Sequence, residues 1–462
     1  MNIISQILEN DKNKEVSINN FFNDNNINSI MKKCNFNKTK GIPVSIVFKF
    51  IFTLVFTRKN MYRLMETNKG KLPFSKDVVY RFLNSFNYNW VKFLSLLSSE
   101  VIDNKLRKLT SADRVNVLIA DDTTYCRDRS KNVELISRVM DNSANKWVKG
   151  FKLLTLGWSD GNTFIPFGFN LITSKEEKKQ LQPINKSIDK RTNGYKFRMT
   201  ALEKKTDALV DLVKKAVEKG IPADYVLFDS WYAFPKIISK IKALKVDVIA
   251  MVKKMPNVYY NFNGKEMPLD QIYRTLKKRR GKSKILCSAI VSIKSADNSE
   301  LPLKIVFVRN RNKSRNWLAL VTTNIELAEK EVVRIYGKRW DIEVFFKMCK
   351  SHLNLSKEFQ GRSYDSMISH ITIVFTRYIM LAIDNRRNID SKSIGGLFYL
   401  YCDELNDVQF SDSIKLVLNI LISSMKDSFS ATKEEIETLL SNFIDSLPSF
   451  FNGLDLKSCC ES

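Results

Sequence analysis

Four residues that could do chemistry, Tyr336, Arg339, Glu343 and Lys350, stand at fixed spacing in the segment RIYGKRWDIEVFFKMCK. Each residue of an α-helix turns by about 100°, so these four side chains fall within a sector of about 60°. The large apolar residues of the segment occupy a different sector, which predicts a helix that buries one face and presents the four side chains along its margin. Alternatively, Glu343 pairs with a cation four residues away in an ordinary amphipathic helix, for a gain of about 0.2–0.5 kcal/mol.

Two further carboxylates end predicted strands, Asp122 the strand that begins with VLIAD and Asp229 the strand that begins with YVLF. Acids at the ends of neighbouring strands converge at one edge of an open α/β sheet. A helix packed across that edge could add Glu343 and complete an oxygen cage for two metal ions about 3.5–4 Å apart, which suits phosphoryl transfer. Singly, each acid is also explained as a helix cap or a turn residue. Neighbouring side chains of a strand face opposite ways, so one of Asp121 and Asp122 should face the metals, and the pattern does not decide which.

Histidine and cysteine usage narrows the possible metals. The chain has two histidines, His352 and His370, and seven cysteines without a C-x-x-C pair. Neither a Ser-His-Asp triad nor a zinc site nor a disulfide framework is therefore indicated, and a reducing compartment is favoured. Carboxylate oxygens remain as metal ligands, which suits Mg²⁺ or Mn²⁺.

The charge of the chain indicates its partner. The 462 residues carry a formal net charge of +26, and residues 402–462 hold eleven acids against four cations, so the positive excess lies before them. Double-stranded DNA is the natural partner of such a surface, and Arg191 and Arg198 in a basic loop are predicted to contact its phosphates. Solvated lysines from an AT-biased genome, and a merely solvated loop, would have the same composition.

Periodicity predicts a mixed α/β architecture. Residues 1–110 read as helices that could dock on DNA or serve as a packing domain, and the apolar segment 42–60, interrupted by Lys49, is expected to be a buried helix rather than a membrane span. Residues 111–255 follow the order three strands, helix, strand, helix, strand. This order, with a hairpin turn at Asp160-Gly161, predicts a sheet with an antiparallel hairpin on one side and parallel crossovers on the other.

Three further regions follow this sheet. Residues 256–325 contain β-type runs between polar turns and predict a β-rich insertion. Residues 326–385 return to helical period, with one continuous helix expected over IELAEKEVVRIYGKRWDIEVFFKMCKSHL. Residues 386–462 predict amphipathic helices, whose acidic surface could support dimerisation or simply cap the molecule.

These motifs resemble those of the bacterial insertion-sequence DDE transposases of family four. The four spaced residues match the YREK signature of that family, IADDTTY is similar to its first-Asp motif, and LFDSWYAF is similar to its second. The resemblance covers about residues 115–380. It implies a ribonuclease H-like catalytic core in which Asp122, Asp229 and Glu343 form the DDE triad and hold two Mg²⁺ ions.

The resemblance also implies DNA contacts. Tyr336, Arg339 and Lys350 would hold phosphates near the cleavage point, a role that suits the planar fork of arginine and the point charge of lysine. Trp317, inside the insertion, would stack on a flipped base in members that pass through a hairpin intermediate. From its position it could equally be a core aromatic residue at the start of a strand.

The combined prediction is a DNA transposase of the cut-and-paste type. It would cleave at terminal inverted repeats by metal-dependent hydrolysis and transfer the strands into target DNA, with a second copy in the synaptic complex and no membrane partner. Because no signal-peptide pattern opens the sequence, we expect a cytoplasmic, nucleoid-associated protein. The alternatives are another ribonuclease H-like DNA nuclease and a non-catalytic, transposase-derived DNA-binding repressor.

Overall fold

The fold is known from a computed structural model. It describes residues 18–38, 40–56, 61, 74–111, 114–281, 283–295, 299–310, 316–359, 361–387, 394–395, 397–399, 438 and 442. The amphipathic helices predicted within residues 386–462 lie almost entirely outside this part of the chain.

Helices precede the sheet, in agreement with the helical periodicity of residues 1–110. They are α1 (Ile27–Lys33), α2 (Val44–Leu54), α3 (Lys76–Leu83) and α4 (Trp90–Val101), the last continuing into a π-helical turn at Ile102–Leu106 and a 3₁₀ turn at Arg107–Leu109. The side chain of Asn89 caps α4 by accepting from the Lys92 N–H at 3.0 Å. Helix α2, from the apolar segment 42–60, is buried through Phe48, Ile51 and Phe52, as expected.

The first part of the sheet has the predicted mixed topology. Its elements are β1 (Val117–Cys126), β2 (Ser137–Asp141), β3 (Lys146–Ser159), β4 (Phe164–Ile172), α5 (Asn193–Ala201), α6 (Lys205–Glu218), β5 (Tyr225–Phe228), α7 (Pro235–Lys242) and β6 (Asp247–Val252). Strands β3 and β4 form the hairpin around Asp160-Gly161, whereas β1, β5 and β6 run parallel in neighbouring positions. The sequence pattern missed β2, a short strand on the edge of β3.

The β-rich insertion extends this sheet instead of forming a separate layer. Its elements are β7 (Tyr259–Phe262), β8 (Lys265–Pro268), α8 (Leu269–Thr275), β9 (Ile285–Lys294), β10 (Glu300–Arg309) and β11 (Trp317–Thr322). Strand β11 pairs antiparallel with β6, which gives the order β2-β3-β1-β5-β6-β11-β10-β9-β7-β8, with β4 beside β3. The protein is thus a mixed α/β protein with one large mixed sheet, consistent with a ribonuclease H-like core.

Three helices complete the described core, and the continuous helix predicted over 325–353 is broken. The helices are α9 (Glu329–Gly337), α10 (Trp340–Ser351) and α11 (Tyr364–Arg387). Between α9 and α10 the hydrogen bonds tighten to three-residue spacing, with the Arg339 N–H donating to the Tyr336 carbonyl at 3.0 Å. Helix α11 is long and apolar enough to cross a membrane, but its apolar stretch is buried throughout inside the protein.

Candidate active site

Asp121 lies within β1, and Asp229 directly follows β5, the parallel neighbour of β1. Ala120 of β1 is paired with Phe228 of β5, and the two aspartates come directly after these paired residues. Paired residues of parallel strands direct their side chains to the same face, so the register brings Asp121 and Asp229 together. The charge of Asp229 contributes to raising the pKa of Asp121, in addition to the larger effect of burial.

The alternation of β1 separates Asp121 from Asp122. Asp121 contacts Arg339 in the turn before α10, and Thr123 contacts Lys350 within α10. Asp122 instead accepts hydrogen bonds from Lys205 at the start of α6 and from the Tyr232 hydroxyl, both at 2.7 Å. The Asp122 side chain, predicted from the resemblance to be catalytic, thus points away from the helix that carries Glu343.

Arg339 links Asp121 of β1 to Glu343 of α10. One guanidinium nitrogen donates to Asp121 Oδ2 at 2.9 Å, and the other forms an ion pair with the Glu343 carboxylate one helical turn later. Lys350 donates from Nζ to Thr123 Oγ1 at 2.5 Å, and the Tyr336 hydroxyl donates to the Phe228 carbonyl at 3.4 Å. Despite the break between α9 and α10, Tyr336, Arg339 and Lys350 therefore each contact β1 or β5, and Glu343 contacts Arg339.

Burial at this edge of the sheet disfavours the charged form of the carboxylates. Desolvation raises the pKa of Asp121 to about 7, although the Arg339 charge opposes it. Burial likewise raises the pKa of Asp229, and the charge of Asp122 adds to the shift. For Asp122 itself burial is outweighed by Lys205 and Lys152, which hold its pKa below the ordinary value. A cation placed between Asp121 and Asp229 would relieve both the desolvation and the repulsion.

Two residues predicted to contact DNA are buried. Arg198 has no exposed surface, and its guanidinium forms ion pairs with Glu134 and Asp365 at 2.7 Å each. Trp317 is 7% exposed and packs between the rings of Tyr273 and Phe307. Both side chains therefore pack in the interior in this structure, and their contact with DNA stays a prediction.

Arg191 lies on the surface, as a phosphate contact requires. Its side chain is 90% exposed and forms an ion pair with Asp189 at 2.6 Å. Sequence reasoning did not single out Lys205, Trp231 or Tyr232. The last two stand beside Asp229 in the motif LFDSWYAF, so the only available signal was their proximity to a candidate acid.

The chain has a clear family match. The model of the family described as DDE superfamily endonuclease matches residues 52–299, which is more than half of the chain. This protein belongs to the DDE superfamily endonucleases. No curated protein matches the chain. The family match includes Asp121, Asp122 and Asp229 and ends before Glu343, and it assigns a DNA substrate and transposase-type nuclease activity to this endonuclease.

Endonucleases of this superfamily typically use divalent metal ions, and the edge of the sheet offers carboxylates that could hold them. Asp121, Asp229 and Glu343 supply the hard oxygen donors that Mg²⁺ and Mn²⁺ prefer. Within the described residues, however, no three acidic, histidine or cysteine side chains are arranged to hold one ion. At this edge Arg339 carries the compensating positive charge, because its guanidinium lies between the carboxylates of Asp121 and Glu343. The carboxylate oxygens are thus the type of ligand that these ions prefer. Arg339 would have to move before Asp121 and Glu343 could share one ion.

Proposed function

We propose that this endonuclease is an insertion-sequence transposase that cleaves DNA at terminal inverted repeats and transfers the freed strands into target DNA. The observation that carries the proposal is the pairing, through Arg339, of Asp121 on the core strand β1 with Glu343 on the signature helix α10. Membership of the DDE superfamily endonucleases supports the same activity. The proposal includes the resemblance to the insertion-sequence transposases of family four.

We propose Asp121, Asp229 and Glu343 as the carboxylates that would hold the divalent ions. When bound, such ions lower the pKa of an attacking water and stabilise charge on the phosphate. The resemblance names Asp122 for the first position, whereas the register with Asp229 and the ion pair with Arg339 favour Asp121. On this proposal Asp122 orients Lys205 and Tyr232 on the opposite face of β1.

The other residues of the signature act on DNA. Arg339 and Lys350 would contact phosphates beside the scissile bond, since their cationic groups lie at Asp121 and Thr123 of β1. Arg339 is held by two carboxylates without DNA, so a phosphate would have to draw it away before those carboxylates face a metal ion. Tyr336 would support Arg339, whose guanidinium carbon lies 6.0 Å from the tyrosine ring centroid.

The test is cleavage of end-containing DNA by the purified full-length protein with Mg²⁺ or Mn²⁺. Glu343→Gln and Asp121→Asn should each reduce cleavage by at least about a hundredfold, whereas Asp122→Asn should retain activity within about tenfold. Glu331→Gln is the matched control, because Glu331 forms an exposed ion pair with Arg334 on α9. A Glu343→Gln protein that cuts as fast as the parent refutes the enzymatic proposal. Loss of cleavage in Asp122→Asn but not in Asp121→Asn would establish the assignment from the resemblance.

DNA specificity separates this proposal from a general ribonuclease H-like nuclease. A transposase should cleave duplexes that carry the inverted repeats flanking its gene and leave a duplex with scrambled ends intact. A nuclease that recognises DNA structure would cut both. A non-catalytic repressor would bind the repeats and cut neither.

A further inference from the structure

Trp231 is an exposed aromatic side chain next to a candidate catalytic carboxylate. It retains 54% of its accessible surface, while its backbone N–H donates to Asp229 Oδ1 at 2.9 Å. Its ring therefore contributes little to the core, although its backbone is fixed at the edge of the sheet where β5 ends. A large indole exposed at such a position has a face available to a planar ligand.

Two lysines from other elements lie against this indole. Lys253, directly after β6, has its Nζ 3.6 Å from the ring centroid, and Lys205, at the start of α6, has its Nζ 5.8 Å away. Lys205 also binds Asp122. The three side chains form a strip, Lys253–Trp231–Lys205, which lies beside Asp229 and combines an exposed indole with two cations.

The ring of Trp317 is much less accessible than that of Trp231. Trp317, the indole first expected to stack on a base, lies between Tyr273 and Phe307 at centroid distances of 4.8 and 5.0 Å, with Lys254 Nζ 3.9 Å from its ring. Neighbouring side chains cover that ring. The Trp231 ring is half exposed, and a base that stacks on it would displace the ammonium group of Lys253 toward a phosphate.

We propose that Trp231 stacks on an unpaired base of the DNA strand held beside the carboxylates of Asp121, Asp229 and Glu343. In this proposal, which rests on the proposed endonuclease function, Lys253 and Lys205 contact the adjacent phosphates. Indole rings accept the face of any base, and flanking cations follow the backbone, which is how proteins hold single-stranded nucleic acid. The strip would keep the strand open next to Asp229, so that the scissile phosphate stays accessible.

The test measures DNA binding separately from cleavage. In the full chain carrying Glu343→Gln, fluorescence anisotropy compares an end-containing duplex that has a short unpaired run of thymines with the same duplex fully paired. Adding Trp231→Ala should weaken binding of the unpaired duplex about five- to a hundredfold and change binding of the paired duplex less than about twofold. Trp231→Phe should retain most of the affinity. Lys253→Ala should weaken both duplexes alike and reduce the salt slope by roughly 0.7–0.9.

Controls keep this result distinct from misfolding and from failure of the proposed function. Trp147→Ala removes another exposed indole, on β3, and should leave both affinities unchanged. Melting curves of the Trp231 variants should overlay the parent, because the side chain is half exposed. Equal affinities of Trp231→Ala and parent for the unpaired duplex, or equal losses on both duplexes, overturn the stacking proposal. The endonuclease proposal is judged separately, by cleavage with the unmodified protein.

Discussion

At the scale of single residues, the two adjacent aspartates of β1 pair with different cations. Asp121 and Asp122 are neighbours in sequence, yet one meets Arg339 and the other meets Lys205. Their electrostatic environments differ accordingly, with the pKa of Asp121 raised to about 7 through burial and the pKa of Asp122 held low by lysines despite burial. Side-chain direction, rather than residue type, therefore distinguishes the two.

The burial of Arg198 leads to a stability prediction. Replacing Arg198 with methionine leaves the carboxylates of Glu134 and Asp365 without their partner in the interior. Because an uncompensated buried charge is costly, we expect the free energy of unfolding to fall by about 3–5 kcal/mol in urea titrations. Arg191→Ala, which removes an exposed arginine of the same basic segment, should leave the urea midpoint unchanged. A midpoint for Arg198→Met equal to that of the parent would contradict this account.

At the scale of elements, the break between α9 and α10 determines how the signature residues meet the sheet. Lys338, in the break, donates from Nζ to the Val115 carbonyl at 2.5 Å and to the Asp160 carbonyl at 3.3 Å. The turn is thereby fixed to the segment that precedes β1 and to the β3–β4 hairpin. The attached turn carries Arg339, which pairs with Asp121 of β1, and it leads into α10, whose Lys350 contacts Thr123 of the same strand.

The same hairpin supplies a pH prediction through Asp160. Its Oδ1 accepts from the N–H groups of Asn162 and Thr163 at 2.9 Å, and Arg386 donates to Oδ2. Burial raises the pKa of Asp160, but these bonds outweigh it and hold the pKa below the ordinary value of 3.8. The carboxylate therefore stabilises the fold fully above pH 3.8, and this contribution is lost as the pH falls further through the lowered pKa.

Melting temperatures recorded across the acidic range test that prediction. Asp160→Asn should melt lower than the parent at neutral pH, because the buried Arg386 contact loses its charge partner. The parent should lose more stability than the variant as the pH falls below 3.8, so that the two curves converge in acid. Parallel curves would show that Asp160 does not supply the acid-sensitive stability.

At the scale of the whole molecule, the helices before the sheet contact both the sheet and helix α11. Arg377 of α11 donates to the carbonyls of Ile51 and Phe52 at the end of α2 while paired with Glu358. The Ser98 hydroxyl of α4 donates to the Pro166 carbonyl of β4 at 2.7 Å. The predicted domain boundary near residue 110 stays a prediction, and the family match from residue 52 extends across it.

The net charge of +26 leads to a prediction about salt. Neutralising six to ten phosphates releases counterions, so affinity for non-specific duplex DNA should fall by about a thousandfold or more between about 50 and 200 mM salt. Anisotropy titrations at several salt concentrations give the slope. An affinity that is insensitive to salt would indicate that the lysines are merely solvated and do not contact DNA.

Periodicity and spacing by themselves determined the α/β order, the hairpin at Asp160-Gly161 and the common face of Tyr336, Arg339, Glu343 and Lys350, because these follow from local geometry. Tertiary structure alone decided which of Asp121 and Asp122 faces α10, since strand alternation fixes that two neighbours differ but not which face a helix covers. It also decided the burial of Arg198 and Trp317. Their partners are distant in sequence or belong to other elements, so no local pattern predicts the contacts with Glu134, Asp365, Tyr273 and Phe307.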